Sequence, residues 1–306
     1  MSTGLETDAR WPHASKWLAG EHAQEPSWSL AVIGLPACLG SVPESRCDLA
    51  PRAIRRALEH FTTYNVVDRV DVRQVAARDW GDLAIRTELP DECFDRIKET
   101  MARVTREAGA LLLLGGDNSI TRPGVHGMGV PLERCGLLAL DARLDLCGLE
   151  GGLTNGNPVR ALLADGLPGE NVVLIGMQSF ANSAEYAQAA QEAGIRVVAA
   201  EEAHHSGLAR TVADRLAELR ARVKTIYVDV DLDILDRAFS PAAAGSRPGG
   251  FAVWELREAV RVAGACEQVK ALDLVEVDPE RDVAEITVLA AAACVLEFAS
   301  GLVSRH

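Results

Sequence analysis

The sequence predicts an α/β protein: one domain on an eight-stranded, mostly parallel sheet with helices on both faces. Three observations predict it. Short apolar, β-branched runs recur eight times along the 306 residues. Helix-like segments separate most of them, which is the pattern of parallel strands joined by covering helices. No repeat, low-complexity tract or Pro/Ser linker divides the chain, so a single domain spans 28–306 behind a polar, mixed arm at 1–27.

The strand runs are LAVIGL (30–35), VRQVA (72–76), ALLLLG (110–115), GLLALD (136–141), NVVLIGM (171–177), IRVVAA (195–200), TIYVDVD (225–231) and VKALDLVEV (269–277). Between them, DLAPRAIRRALEHF places Asp48 as an N-cap and Pro51 early in a helix, where each is best tolerated. PDECFDRIKETMARVTREAG carries acids early, bases late and a glycine stop, matching the helix dipole. ANSAEYAQAAQEAG, GLARTVADRLAELRARV and VWELREAVRVAG follow the same style.

A net charge of -13 disfavours nucleic acid and anionic membrane as partners. Seven scattered cysteines, never in C-x-x-C, argue against a disulfide framework or a zinc ribbon and for a reducing, cytoplasmic setting. The N-terminal stretch has no apolar core of a secretion signal, and no uncharged apolar run is long enough to span a bilayer.

In a sheet of this kind ligands bind beyond the carboxyl ends of the strands. Four strands end in chemistry: GGDNSITRP, DARLD, DVDLDILD and EVD. Alternation puts Asp229, Asp231 and Asp233 on one face if that strand persists, and Asp141 and Asp145 open a neighbouring loop. Singly, each aspartate reads as a cap or turn residue. Gathered at one sheet edge, they need a cation to remain ionised together. Oxygen-rich clusters suit Mn²⁺ or Mg²⁺, which could activate water against a C–N bond. No Walker loop, dinucleotide fingerprint or nucleophile elbow competes. His126 reads as a loop or core residue, and His204 and His205 as helix-entry residues.

These motifs, in this order, resemble the ureohydrolase family of arginase, agmatinase, guanidinobutyrase and formimidoylglutamase, over about residues 30–300. The resemblance implies a three-layer α/β/α, arginase-like fold, two Mn²⁺ ions, hydrolysis of guanidinium or amidine groups, and a trimeric or hexameric homo-oligomer. Asn155-Gly156 stands where arginase and agmatinase carry His-Gly, so the chain looks most like the formimidoylglutamase branch. That branch takes a formimino acid with two carboxylates. The expected substrate-binding residues are then Asn155, Asn157, Arg160, Arg247 and Glu276, with arginine suited to bidentate carboxylate recognition. Glu276 matches the acid that holds the amidine, and Asp273, on the opposite face, reads as structural.

The chain departs from the family at two metal-binding histidines: GGDHS reads GGDNS, with Asn118, and DAHxD reads DARLD, with Arg143. Asn118 could offer an amide oxygen alongside Asp141, Asp145, Asp231 and Asp233. Arg143 has no lone pair to give and stays protonated. Four aspartates balance two divalent ions, whereas Arg143 with one ion leaves a single net negative charge. The expectation is therefore at most one Mn²⁺ per chain, and Asp229 or Asp233 as the partner of Arg143. Asp145, Glu276 and Arg143 are the expected catalytic groups of a hydrolase acting on a linear amidine or guanidine, a formimidoylglutamate-like compound or a guanidino acid. A metal-poor binding or regulatory subunit, and a repurposed biosynthetic enzyme for guanidino or imino compounds, stand as alternatives.

Overall fold

The computed structural model describes residues 8, 10–22 and 28–305. Eight strands form one sheet: β1 (Trp28–Leu35), β4 (Val75–Asp82), β5 (Ala110–Gly115), β6 (Cys135–Leu140), β7 (Val172–Met177), β8 (Arg196–Ala199), β9 (Thr225–Asp231) and β10 (Val269–Val275). Two two-residue strands, β2 (Tyr64–Asn65) and β3 (Val70–Asp71), make a separate antiparallel pair. The large sheet runs β4-β1-β5-β10-β9-β6-β7-β8, with every pairing parallel. All eight carboxyl ends therefore lie along one edge. The four strands that end in acid-bearing motifs, β5, β10, β9 and β6, are consecutive neighbours at its centre.

The second predicted strand lies later than its apolar run. Residues 72–74 form a 3-10 turn capped by the Asp71 side chain, and the strand begins at Val75. It is an edge strand with one side of its ladder unpaired, so polar residues are tolerated in it and the apolar pattern misleads.

Alternating side chains divide the core into two layers. On one face, β-residues such as Val32, Leu112, Val228 and Leu272 pack beneath α1 (Ala14–Leu18), α2 (Ala50–Ala57), α7 (Ala200–Ser206), α8 (Leu208–Arg220), α9 (Val253–Ala265) and α10 (Ile286–Val303). On the other, Ile33, Leu113, Leu137 and Leu174 pack beneath α3 (Pro90–Val104), α4 (Thr121–His126), α5 (Pro158–Asp165) and α6 (Ala184–Glu192). The fold is thus the expected three-layer α/β/α arrangement.

Several local expectations change. Asp48 sits in the 3-10 turn before α2, makes no cap, and pairs with Arg46 at 2.9 Å and Arg86 at 3.1 Å. His204 and His205 lie inside α7, with His204 stacked on Phe251. Part of the 1–27 segment docks: in α1, Trp17 is buried and its indole N–H donates to the Val75 carbonyl at 2.8 Å. The most apolar helix, α10, escapes an amphipathic reading because it is apolar all round, as buried helices are. It is the one helix among the described residues long and apolar enough to cross a membrane, yet 78% of it is buried inside the protein. Its Glu297 pairs with Arg257 at 2.7 Å and Arg261 at 3.6 Å.

Candidate metal and substrate site

Each central strand delivers its side chains by a sharp turn. After β5, Gly116 passes so close to the loop following β1 that a Cβ there would lie 1.8 Å from the Ala37 carbonyl oxygen. Asp117 then caps the 3-10 turn Asn118–Ile120 by accepting from Ser119 N, and reaches back to accept from Gly40 N at 2.9 Å. After β6, the chain turns through Asp145 at φ 51°. β9 does not carry its alternation to Asp233: it stops at Asp231, whose Oδ1 accepts from Asp233 N at 2.7 Å to start a 3-10 turn. The turn, rather than the pleat, brings Asp233 back beside Asp231. After β10, Glu276 adopts φ 66°, a left-handed conformation uncommon for a residue with a side chain.

Carboxylate oxygens of Asp141, Asp231 and Asp233 lie within 4.8 Å of one another, all buried. Arg143 reaches into this cluster: its Nε is 3.2 Å from Asp233 Oδ2 and its Nη2 3.7 Å from Asp231 Oδ2. Asp229, the other predicted partner, turns away and pairs with Asp273 across the β9–β10 register. The Arg143 pairing is by charge more than by alignment. Arg143 Nε, Asp231 Oδ2, Asp233 Oδ2 and Asp145 Oδ1 are buried and make no hydrogen bond. Buried polar atoms are otherwise almost always satisfied. Asp231 and Asp233, two of the three acids of the tight group, thus keep orphaned oxygens, which fit a hard divalent ion. The Arg143 guanidinium lies beside both of them.

The charge state follows from this enclosure. Burial raises the pKa of Asp141 well above the ordinary carboxylate range, and Asp145, Asp233 and Asp231 push it further. Burial does the same for Asp231, with Asp233 and Glu276 adding to it. Asp145 is pushed up to about 6 by burial, with Arg143 pulling the other way. Burial disfavours the charged form of Arg143, but the surrounding aspartates, Asp233 foremost, more than offset it and hold the guanidinium protonated.

Beside the cluster, Glu276 Oε1 accepts from Asn118 N at 2.8 Å and Asn155 Nδ2 at 3.1 Å. Burial, then the charge of Asp117, pushes it up to about 7. Asn155 thus touches Glu276 directly and also accepts from Val42 N at 3.0 Å. Asn157 is spent within its own loop, donating to the Gly148 and Gly152 carbonyls at 3.1 and 3.0 Å. Arg160 donates to the Leu146 carbonyl at 2.6 Å, at the foot of the Asp145 loop. Arg247 donates to the Gly245 carbonyl at 2.6 Å. Asn118 directs its amide NH₂ at Asp145 Oδ2, 2.5 Å away, and its oxygen accepts from Thr121 Oγ1 at 2.8 Å. Two residues that sequence reasoning missed matter here. A Cβ at Gly245 would lie 1.9 Å from Asp233 Oδ2, so only glycine allows that loop over the cluster. Thr121 lies in the GGDNSIT motif, but only its side-chain direction reveals its place.

Comparison with known proteins agrees with this geometry. The model of the arginase family matches residues 29–301. Formimidoylglutamase of Halalkalibacterium halodurans is 35% identical over 274 residues, covering 88% of this chain and 86% of that protein. The crystal structure of formimidoylglutamase from Bacillus subtilis superposes with a TM-score of 0.88 at 28% identity, over 97% of this chain and 93% of the other. Trypanosoma cruzi formiminoglutamase with Mn²⁺ shares the fold at a TM-score of 0.85 and 22% identity, over 95% of this chain and 99% of that one. With a family match across nearly its whole length and a relative above 30% identity over most of both chains, this chain belongs to the arginase family.

Proposed function

We propose that this protein hydrolyses a C–N bond of a linear amidine, a formimidoylglutamate-like compound, using one divalent ion, Mn²⁺, per chain. The observation that carries this reading is the set of three orphaned carboxylate oxygens, on Asp145, Asp231 and Asp233, with Arg143 beside two of them. Asp141, Asp145 and Asp231 would hold the ion, with Asp233 shared between the ion and Arg143. When bound, the ion supplies Lewis-acid activation of water and of the amidine carbon. Arg143 would supply a fixed positive charge where the family places a second metal-binding group, and would stabilise negative charge developing on the attacking oxygen.

Glu276 faces the same space from β10 and suits a cationic amidinium. The two amide donors on its Oε1, from Asn118 and Asn155, fix its direction. Arg247, two residues after the Gly245 that passes close to Asp233, would meet a substrate carboxylate, and Arg160 and Asn157 shape the adjoining loop. Formimidoylglutamases among the relatives, and Mn²⁺ in a protein of the same fold, support the substrate class and the ion. A homo-oligomer, trimer or hexamer, and a reducing cytoplasmic setting for seven free thiols complete the proposal.

The test is release of ammonia or formamide from N-formimino-L-glutamate, and of urea from agmatine, arginine and guanidinobutyrate in parallel, after incubation with Mn²⁺. Turnover of the formimino acid at least tenfold above the others is expected. Preference for a guanidino compound would overturn the substrate class, and no turnover of any would overturn the activity.

A further inference from the structure

A buried chain of polar side chains runs from the sheet core to the site. Tyr227 OH donates to Asp273 Oδ2 at 2.7 Å. The same oxygen lies 2.9 Å from Thr121 Oγ1, which lies 2.8 Å from Asn118 Oδ1. Asn118 Nδ2 then reaches Asp145 Oδ2. Tyr227, Asp273, Thr121 and Asn118 are wholly buried and Asp145 is 5% exposed. The chain runs from β9 and β10 through the 3-10 turn and helix that follow β5, and closes on the loop after β6. It also depends on α4: Gly124, three residues after Thr121, leaves room for the tyrosine, because a Cβ there would lie 2.4 Å from Tyr227 OH.

The direction of the Asn118 amide follows from donor accounting. A threonine hydroxyl has one proton to give. Asp273 already receives from Tyr227 OH and, on Oδ1, from Val230 N at 3.2 Å. Thr121 Oγ1 faces two acceptors, Asn118 Oδ1 at 2.8 Å and Asp273 Oδ2 at 2.9 Å, and its one proton is shared between them. That leaves Asn118 Nδ2 as the group facing Asp145. Turned over, the amide would set its oxygen 2.5 Å from a carboxylate oxygen, two acceptors in contact with no proton between them, which burial makes costly.

We infer that Thr121, held by Asp273 and Tyr227, is a positioning residue that locks the Asn118 amide as a hydrogen-bond donor to Asp145, so that Asn118 orients Asp145 instead of lending its oxygen to an ion. The oxygen of Asn118 is occupied by Thr121, and Oδ1 of Asp145 keeps no hydrogen bond. The consequence for metal binding and turnover rests on the proposed function; the direction of the amide does not.

The experiment compares wild type with Thr121→Val, which is nearly isosteric without the hydroxyl, and Thr121→Ser, which restores it. Two readouts are taken on each folded protein. Solvent exchange of the Asn118 side-chain amide is followed in ¹⁵N-asparagine-labelled, metal-free protein, the signal being assigned by its loss in Asn118→Ala. The affinity for Mn²⁺ is measured by titration. Slow amide exchange is expected in wild type and Thr121→Ser, and exchange at least tenfold faster in Thr121→Val. Mn²⁺ affinity is expected to fall about 10- to 100-fold in Thr121→Val, as for other residues that orient metal-binding groups, and to stay within about threefold in Thr121→Ser. Were Asn118 an oxygen donor to the ion, removing the competing hydroxyl would tighten Mn²⁺ binding. Tighter binding in Thr121→Val, or unchanged amide exchange, overturns the inference. A wild type that binds no Mn²⁺ and hydrolyses nothing sinks the proposed function instead, and the exchange data still judge the amide.

Discussion

One buried acid and a set of three lie after neighbouring strands of the same sheet, and they are treated in opposite ways. Asp117 is fully buried, yet both its oxygens are used: Ser119 N and Oγ donate to Oδ1, and Gly40 N and Ser41 Oγ to Oδ2. Asp145, Asp231 and Asp233 are as deeply buried, and each keeps an oxygen with no hydrogen bond. The first arrangement is an acid built to hold two loops together. The second is a set of acids built to receive something positively charged, and Arg143 meets only part of that demand. Between Asp117 and these three acids, satisfaction of the oxygens differs where burial does not.

The contrast can be broken from either side. The largest effect is expected at Asp231→Asn, which neutralises an orphaned oxygen. Hydrolysis should fall by about 10³-fold, consistent with several kcal/mol lost from electrostatic activation, while urea unfolding of the metal-free protein shows no loss of stability. A destabilised, still active variant would erase the distinction. Next is Asp117→Ala, which strands four donors. It should cost about 3 kcal/mol in urea unfolding, without changing Mn²⁺ affinity in the folded fraction by more than about threefold. A smaller effect is expected from Arg143→Ala. Removing the guanidinium from the metal-free cluster should destabilise it by about 1–2 kcal/mol, and the loss should be recovered in excess Mn²⁺. Denaturation with and without the metal checks this.

The smallest effect is on pH dependence. Glu276 and Asp145 titrate near 7 and 6 in the folded protein, both raised by burial. Between their ordinary values, near 4, and these raised ones, the folded state binds more protons than the unfolded state. Stability of the metal-free protein therefore falls as pH rises through this window. Its Tm should be a few degrees higher at pH 5.5 than at pH 7.5. With Mn²⁺ in excess the order should reverse, because the ion competes with protons for the same oxygens. Calorimetry at the two pH values, with and without Mn²⁺, reads both signs.

Much of this was legible in the sequence, for physical reasons. Parallel strands buried on both faces leave continuous apolar runs, so seven of the eight were found close to their true positions, and their acid-bearing ends marked one edge of the sheet. Arg143 stood out because a guanidinium cannot replace an imidazole ligand, and its position between Asp231 and Asp233 follows from charge. Three features lay beyond the sequence. Asp233 reaches the cluster through a 3-10 turn instead of strand alternation, a choice that local pattern does not encode. The direction of the Asn118 amide depends on Thr121, Asp273 and Tyr227, drawn from three separate strand regions. The closeness of Gly245 to Asp233 is a contact between the two ends of a loop, invisible until the loop is folded.

In the proposed function Arg143 takes over the electrostatic place of a second ion. Metal content settles it most directly: protein purified with added Mn²⁺, dialysed free of excess, and analysed for manganese per chain. One ion per chain, rising towards two in Asn118→His/Arg143→His, is the expected result. Two ions per chain in the wild type would contradict it.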